Sequence, residues 1–157
     1  MQIRHIQSSD YNTISPLLNE WWGGRQMTDT LPKLFFNHFN DTSFIVEDDK
    51  EEVVGFLIGF LSQSKKNTAY IYFVGVHPDY RNQQVARRLY NTFFKVIQRK
   101  GRNIVRSVTS PVNKGSIAFH KQMGFAVEEG DKEVEGIKVA SNYDGQGHDR
   151  VLFMKRV

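Results

Sequence analysis

An α/β sandwich built on a mixed β-sheet is the fold class this sequence predicts, and three features predict it. Three strand-like runs, TSFIVE, VVGFLIGFL and TAYIYFVGV, follow one another after the first helices and before the longest one. A long amphipathic helix comes next, and strand, helix and strand then alternate to the end of the chain. A doubly wound nucleotide fold would alternate strand and helix throughout, so three consecutive strands argue against it.

The elements read as follows. Met1 to Gln7 alternates weakly around Ile3 and Ile6 as a first strand. Asp10 then caps a helix reaching Trp22, in which Pro16 requires a kink or a restart after Ser15. WWGGR, Trp21 to Arg25, ends that helix on two glycines. A second helix runs from Leu31 to Phe39 with Pro32 near its first position and Leu31, Leu34, Phe35 and Phe39 on related faces. Strands follow at Thr42 to Glu47 and Val53 to Leu61, joined by DDKEE, a turn without glycine, and at Thr68 to Val76.

The long helix is predicted over Asn82 to Lys100. Val85, Leu89, Phe93 and Val96 repeat beside Ala86, Tyr90, Phe94 and Ile97, a broad face for packing on the sheet, and Arg99, Lys100 and Gly101 end it. Asn103 to Val108 reads as a strand, Lys114 to Gln122 as a short helix leaving through Gly124, and Phe125 to Val127 as the start of another strand. Glu128 to Gly147 is polar and glycine-containing, a loop or hairpin arm, before a last strand at Asp149 to Met154.

A chain of 157 residues has the length of one domain, here residues 1–157. Its 39% hydrophobic content argues against pervasive disorder, and its apolar runs are too short to span a bilayer. MQIRHIQ lacks the apolar core of a secretory signal, so a cytoplasmic location with no membrane partner is expected. The absence of cysteine excludes a disulfide framework, a cysteine nucleophile and a thiolate metal site. His5, His38, His77, His120 and His148 show no HxxxH or HExxH spacing, so no metal is expected. A formal charge of +4 suits a polyanionic ligand but is modest for a protein whose partner is nucleic acid.

The segment RNQQVA, Arg81 to Ala86, directly follows YIYFVGVHPDY. Unpaired N–H groups and the positive dipole end of the long helix suit phosphate oxygens there, with Arg81, Arg87 and Arg88 able to add charge-assisted hydrogen bonds. A basic helix start exposed to water fits the same residues.

On these residues the chain resembles the GNAT superfamily of N-acetyltransferases over nearly its full length. The superfamily's phosphate-binding signature is Arg or Gln, two residues, Gly, one residue, then Gly or Ala; Arg81, Gln84 and Ala86 stand at those places, with Gln84 departing from glycine. VGVHPDYR, Val74 to Arg81, is similar to the strand-to-loop sequence before it. A second signature, Phe-Tyr followed by Gly-Phe, is matched by Phe119, His120, Gly124 and Phe125, with His120 in place of tyrosine.

The resemblance implies a mixed, mostly antiparallel central sheet flanked by helices. It implies acetyl-CoA as cosubstrate, its diphosphate against the backbone of Gln83, Gln84, Val85, Ala86 and Arg87 and its pantetheine arm along Val74 and Val76, where Gly75 is compatible with a bulge. Asn113 and Ser116 match positions that hold the cofactor arm or order the following helix. The implied reaction is direct acetyl transfer to a primary amine of a small molecule or peptide, with Glu20 or His77 as base, His120 as the acid for the leaving thiolate and the Val76 N–H facing the oxyanion.

Trp21, Trp22 and Arg25 would form an acceptor wall. Adjacent tryptophans on a helix cannot share a face, so one ring belongs in the core and the other near the cleft; Arg25 meets a carboxylate or completes the helix end. Tyr143, Asp144, Gly145 and Asp149 read as an acceptor-side loop or as an ordinary hairpin connection. A CoA-binding sensor or protein-interaction module is the alternative function, and a homodimer is the expectation for assembly.

Overall fold

A computed structural model describes residues 1–82 and 84–157; Gln83, one of the expected cofactor contacts, lies outside the described residues. The elements are β1 (Gln2–His5), α1 (Asp10–Trp21), α2 (Leu34–His38), β2 (Phe44–Glu47), β3 (Val53–Leu61), β4 (Thr68–Val76), α3 (Val85–Arg99), β5 (Ile104–Thr109), α4 (Lys114–Gln122), β6 (Ala126–Val127), β7 (Lys132–Val134), β8 (Ile137–Val139) and β9 (Val151–Arg156). Seven strands form one sheet in the order β1-β2-β3-β4-β5-β9-β6, and β7 and β8 form a separate pair. β4 and β5 run parallel, whereas β1 with β2, β2 with β3, β5 with β9 and β6 with β9 are antiparallel. The fold is thus α/β with a mixed, mostly antiparallel sheet flanked by helices.

The chain divides into two compact units, Met1–Leu61 with Ile71–Gly101 and Ser62–Tyr70 with Arg102–Val157. In the first, α1 turns Ile14, Leu18 and Trp21 into a core shared with Phe36, Ile45, Phe56, Ile58 and Phe73. Burial of these side chains is the main favourable term, each contributing about 1.5–3 kcal/mol before entropy is counted. Arg4 on β1 bonds both carboxylate oxygens of Asp10 and one of Glu47, each at 2.9 Å, and so ties β1 to the start of α1 and to β2. α3 buries Val85, Leu89, Tyr90, Phe93, Phe94 and Ile97.

Several boundaries differ from the sequence reading, each for a local reason. α1 runs through Pro16 without a break; Pro16 and Asn12 are exposed, so the Asn12 carbonyl that loses its helical partner faces water. Asp10 lies inside the helix, its carboxylate accepting the Gln7 N–H at 2.7 Å. α2 begins three residues late because Leu31 precedes Pro32, which disfavours helical dihedrals, and Leu31 sits at φ −128°. α3 begins at Val85 because Asn82 and Gln84 have φ of 75° and 66°, values a right-handed helix excludes. The turn DDKEE does without glycine because Glu51 takes the left-handed position, φ 62°, while the Asp48 carboxylate caps the N–H groups of Lys50 and Glu52.

In the second unit, β5 lies between the first residues of β4 and β9, and β9 also carries β6. Val105, Val151 and Phe153 are fully buried. Arg102 organises the approach to β4 by donating to the carbonyls of Ser62, Thr68 and Lys65 at 2.8, 3.0 and 3.3 Å. The segment after Glu128 contains the β7–β8 hairpin, turned by Glu135 and Gly136 at φ 49° and 82°, the paired left-handed residues of a tight hairpin turn.

The first unit depends on a close approach of α3 to β3. A Cβ on Gly55 would lie 2.7 Å from Cγ1 of Val85 and 3.3 Å from the Gly75 carbonyl. Gly55→Ala is therefore expected to lower stability by about 1–3 kcal/mol through overpacking, read as a reduced urea midpoint at unchanged slope.

Candidate active site

The candidate residues fall in both units, one set in each. β4 is the element from which the first set is built. Its register with β5 covers Thr68↔Ile104, Ala69↔Val105 and Tyr70↔Arg106. From Ile71 to Val76 the strand continues in the first unit, where β3 flanks one side and no further strand is described on the other. The amide of His77, just past the strand, donates to Val54 of β3 at 2.8 Å. Strand alternation then turns the backbone groups of Val74 and Val76 toward the open edge. An open edge of this kind can pair with an extended ligand through main-chain hydrogen bonds.

The chain leaves β4 through a tight turn. His77 Nδ1 accepts the Asp79 N–H at 3.0 Å, anchoring the 3-10 turn Pro78–Tyr80, and this fixes the imidazole proton on Nε2. Arg81 donates to the Trp21 carbonyl at 2.9 Å, closing the end of α1 against the start of α3. Gln84 caps α3 in the left-handed region, φ 66° and ψ 14°, and its Oε1 accepts from Arg87 Nε at 2.9 Å. The residue at this place is therefore left-handed, not helical, which explains why glycine suits it; a glutamine there costs about 1–2 kcal/mol. Among the described residues, the Gln84 side chain makes no capping hydrogen bond to the α3 N-terminus, and no acidic residue stands in the first turn. The N–H groups of Val85, Ala86 and Arg87 thus lie where a helix offers donors to an anion.

The end of α1 separates the two tryptophans. Trp21 is buried, stacked on Phe56 at 6.0 Å and edge-on to His77 at 5.6 Å, and its buried Nε1 has no hydrogen-bond partner among the described residues. Trp22 is half-buried, 5.2 Å from Phe73. A Cβ on Gly75 would meet Trp22 Cη2 at 2.9 Å and Phe56 at 2.5 Å. Gly75 is needed because two rings press on β4 there, a different demand from the bulge that its sequence position suggests. Gly23 and Gly24, at φ 67° and 88°, then reverse the chain. Asn19, which the sequence reading passed over, holds the turn: its Oδ1 accepts the Met27 N–H at 2.6 Å and its Nδ2 reaches Gln26 Oε1 at 3.3 Å. The available signal was an asparagine one helical turn before a Gly-Gly pair. Glu20 and Arg25 are exposed.

In the second unit, Asn113 caps α4 by accepting the Ser116 N–H at 3.1 Å, ordering the helix start. His120 is buried, its ring stacked on Phe153 at 4.2 Å and 2° and edge-on to Phe119 and Phe125. Its Nδ1 lies 2.8 Å from the Ser116 carbonyl and 3.3 Å from the Ser116 hydroxyl. A carbonyl only accepts, so the imidazole proton sits on Nδ1. Burial holds the His120 pKa below the ordinary imidazole value, partly offset by the Ser116 carbonyl. The acid role implied by its motif position would need the imidazolium, the form that burial disfavours.

Tyr143 is half-exposed on a stitched loop. Asp149 accepts the Asn142 N–H at 2.9 Å and pairs with Lys132 at 2.6 Å, Asp131 accepts the Ser141 N–H at 2.7 Å, and Arg150 pairs with Asp144 at 2.8 Å. Lys132 and the Asn142 amide hold the Asp149 carboxyl below the usual carboxylate range.

The fold thus brings together a mixed sheet, a strand edge left open near its end and, beyond it, the start of α3 with its amide donors. The acetyltransferase (GNAT) family model matches residues 3–125, and the chain belongs to that family. Among curated relatives it is 26% identical over 121 residues to the L-2,4-diaminobutyric acid acetyltransferase of Chromohalobacter salexigens, covering 69% of this chain and 62% of the relative. The chain thus spans less than two thirds of that protein's length. Among solved structures it resembles Ard1 from Thermoplasma volcanium, with a TM-score of 0.79, 18% identity and coverage of 99% of this chain and 97% of that one. It also resembles the diaminobutyrate acetyltransferase of Paenibacillus lautus in complex with L-2,4-diaminobutyric acid and coenzyme A, with a TM-score of 0.68, 20% identity and coverage of 98% and 92%.

Two outcomes are expected from these positions. Gln84→Gly removes the left-handed side chain and should leave stability equal or higher by up to about 1 kcal/mol, measured by thermal and urea unfolding. Below about pH 6.5 the unfolded chain takes up a proton that buried His120 resists, so the His120 contribution lowers stability as pH falls through that value and is absent above it. His120→Phe should flatten this acid-side decline, visible in urea midpoints recorded across the window.

Proposed function

We propose that the protein transfers an acetyl group from acetyl-CoA directly to a primary amine of a small molecule or peptide. The observation that carries this reading is the open edge of β4 at Val74 and Val76, which runs through one tight turn into the uncapped start of α3. That sequence of features matches an extended arm ending in a diphosphate. The coenzyme A bound in the Paenibacillus lautus enzyme supports the same assignment.

In this reading Val74 and Val76 pair with the pantetheine arm, and the backbone of Gln84 to Arg87 receives the diphosphate. Gln83 extends that cradle by its place in the sequence. Arg81 keeps the turn closed against Trp21 and retains further N–H donors for phosphate oxygens. Asn113 and Ser116 order the start of α4. Acetyl-CoA supplies the acyl group and a thiolate leaving group.

The chain's own part is to bind, orient and manage protons. An alkylammonium acceptor has a pKa of about 10 and must lose a proton before it attacks; Glu20, exposed at the end of α1, is the base we assign, acting through water. The Val76 N–H stabilises negative charge developing on the acyl oxygen. A thiol of pKa about 8.5 leaves as thiolate more readily than an amine of about 10, so release does not depend on an acid at His120. We assign His120 to seating α4 on Phe153.

The buried, neutral His120 also favours a second reading, a CoA-binding sensor that transfers acetyl groups poorly or not at all. Calorimetric titration with acetyl-CoA, desulfo-coenzyme A and a nucleotide lacking the pantetheine arm tests both. Micromolar binding that requires the arm, followed by free thiol release with an amine present, supports the enzyme; binding without turnover supports the sensor; no binding sinks both. Ala86→Trp, at a half-buried position of the first α3 turn, is expected to weaken acetyl-CoA at least about 10-fold by blocking approach to the amides, a loss of about 1.4 kcal/mol.

A further inference from the structure

The turn after α1 is a built element with one uncommitted charge. Gly24 N donates to the Asn19 carbonyl at 2.7 Å and Arg25 N to the Trp22 carbonyl at 3.3 Å. The Asn19 side chain fixes Met27 and Gln26, and Gln26 in turn donates to the Thr28 hydroxyl at 3.1 Å. Two glycines at positive φ make the reversal that these bonds hold. Among the described residues, the Arg25 guanidinium makes no hydrogen bond or ion pair.

Other arginines are spoken for: Arg4 by Asp10 and Glu47, Arg81 by Trp21, Arg87 by Gln84. Arg88 and Arg99 stand on exposed positions of α3, where a solvated charge is ordinary. Arg25 instead stands on a pinned turn, three residues beyond a tryptophan whose ring rests over Gly75 on the open-edged strand. A planar fork of donors held on a fixed turn matches a carboxylate better than a point cation would.

We infer that Arg25 selects acceptors that carry a carboxylate as well as the reacting amine, with Trp22 packing against the carbon chain between them and Asn19 as the positioning residue. This rests on the acetyl-transfer reading above and names the substrate class of the same site. The amine and the carboxylate then belong to one molecule, an amino acid or a peptide with a nearby acidic group.

The test compares acetylation of amine pairs that differ by the carboxylate: lysine against cadaverine, ornithine against putrescine, phenylalanine against phenethylamine. Acetyl-CoA affinity is measured separately by calorimetry. A charge-assisted bidentate contact corresponds to about a 10- to 100-fold preference in kcat/KM for the carboxylated member. Arg25→Gln should bring that ratio near one through KM, with acetyl-CoA affinity retained. Asn19→Ala should reduce the ratio as well, and Asn19→Asp should restore most of it, because Asp keeps the acceptor for Met27. Acetyl-CoA binding with no preference for carboxylated amines, or with a ratio unmoved by Arg25→Gln, overturns this inference alone. No acetyl-CoA binding overturns the acetyl-transfer reading and this inference together.

Discussion

The missing side chain of Gly55 is the constraint on which the first unit rests. Val85, the first residue of α3, occupies the space that a Cβ at Gly55 would take, so the helix begins in direct contact with β3. That contact fixes where the first amides of α3 stand, and the turn that begins at His77 has to deliver the chain to them. Two left-handed non-glycine residues, Asn82 and Gln84, are retained in that turn despite their conformational cost. Local strain of this kind persists where surrounding packing over-determines the backbone, and here the fixed ends of β4 and α3 do so.

A second glycine performs a related task on β4. At Gly75 the strand surface is bare, and Trp22 and Phe56 close over it. The neighbouring tryptophans divide accordingly: Trp21 completes the core with Phe56, and Trp22 stays half-buried at the strand. Arg81 links the two ends by bonding the Trp21 carbonyl. One short stretch of backbone therefore relates the open strand edge, the uncapped helix start and the turn carrying Arg25.

His120 shows how position in a motif and chemistry in place can part company. Its place between Phe119 and Gly124 is that of a tyrosine whose hydroxyl serves as acid, and imidazole has a suitable proton chemistry in water. In the second unit the ring is stacked flat on Phe153, and its Nδ1 proton is committed to the Ser116 carbonyl. Desolvation lowers its pKa and so disfavours the charged form. The sequence records that a histidine is present; its proton inventory depends on what surrounds the ring.

The elements legible in the sequence were those written in short-range periodicity. The meander, the broad apolar face of α3 and the apolar strand β9 follow from the spacing of side chains along the chain, because burial acts on whichever residues that spacing puts on one face. The strand-to-helix stretch from Val74 to Ala86 was legible too, because its residue types sit at fixed short intervals. What only the tertiary structure decided depends on groups far apart in sequence. Gly55 is explained by Val85, Gly75 by Trp22, the end of α1 by Arg81, and the proton on His120 by its burial against Phe153. The late start of α3 belongs with these, since nothing in Asn82 or Gln84 as residue types forces a left-handed backbone until both ends of their turn are held in place.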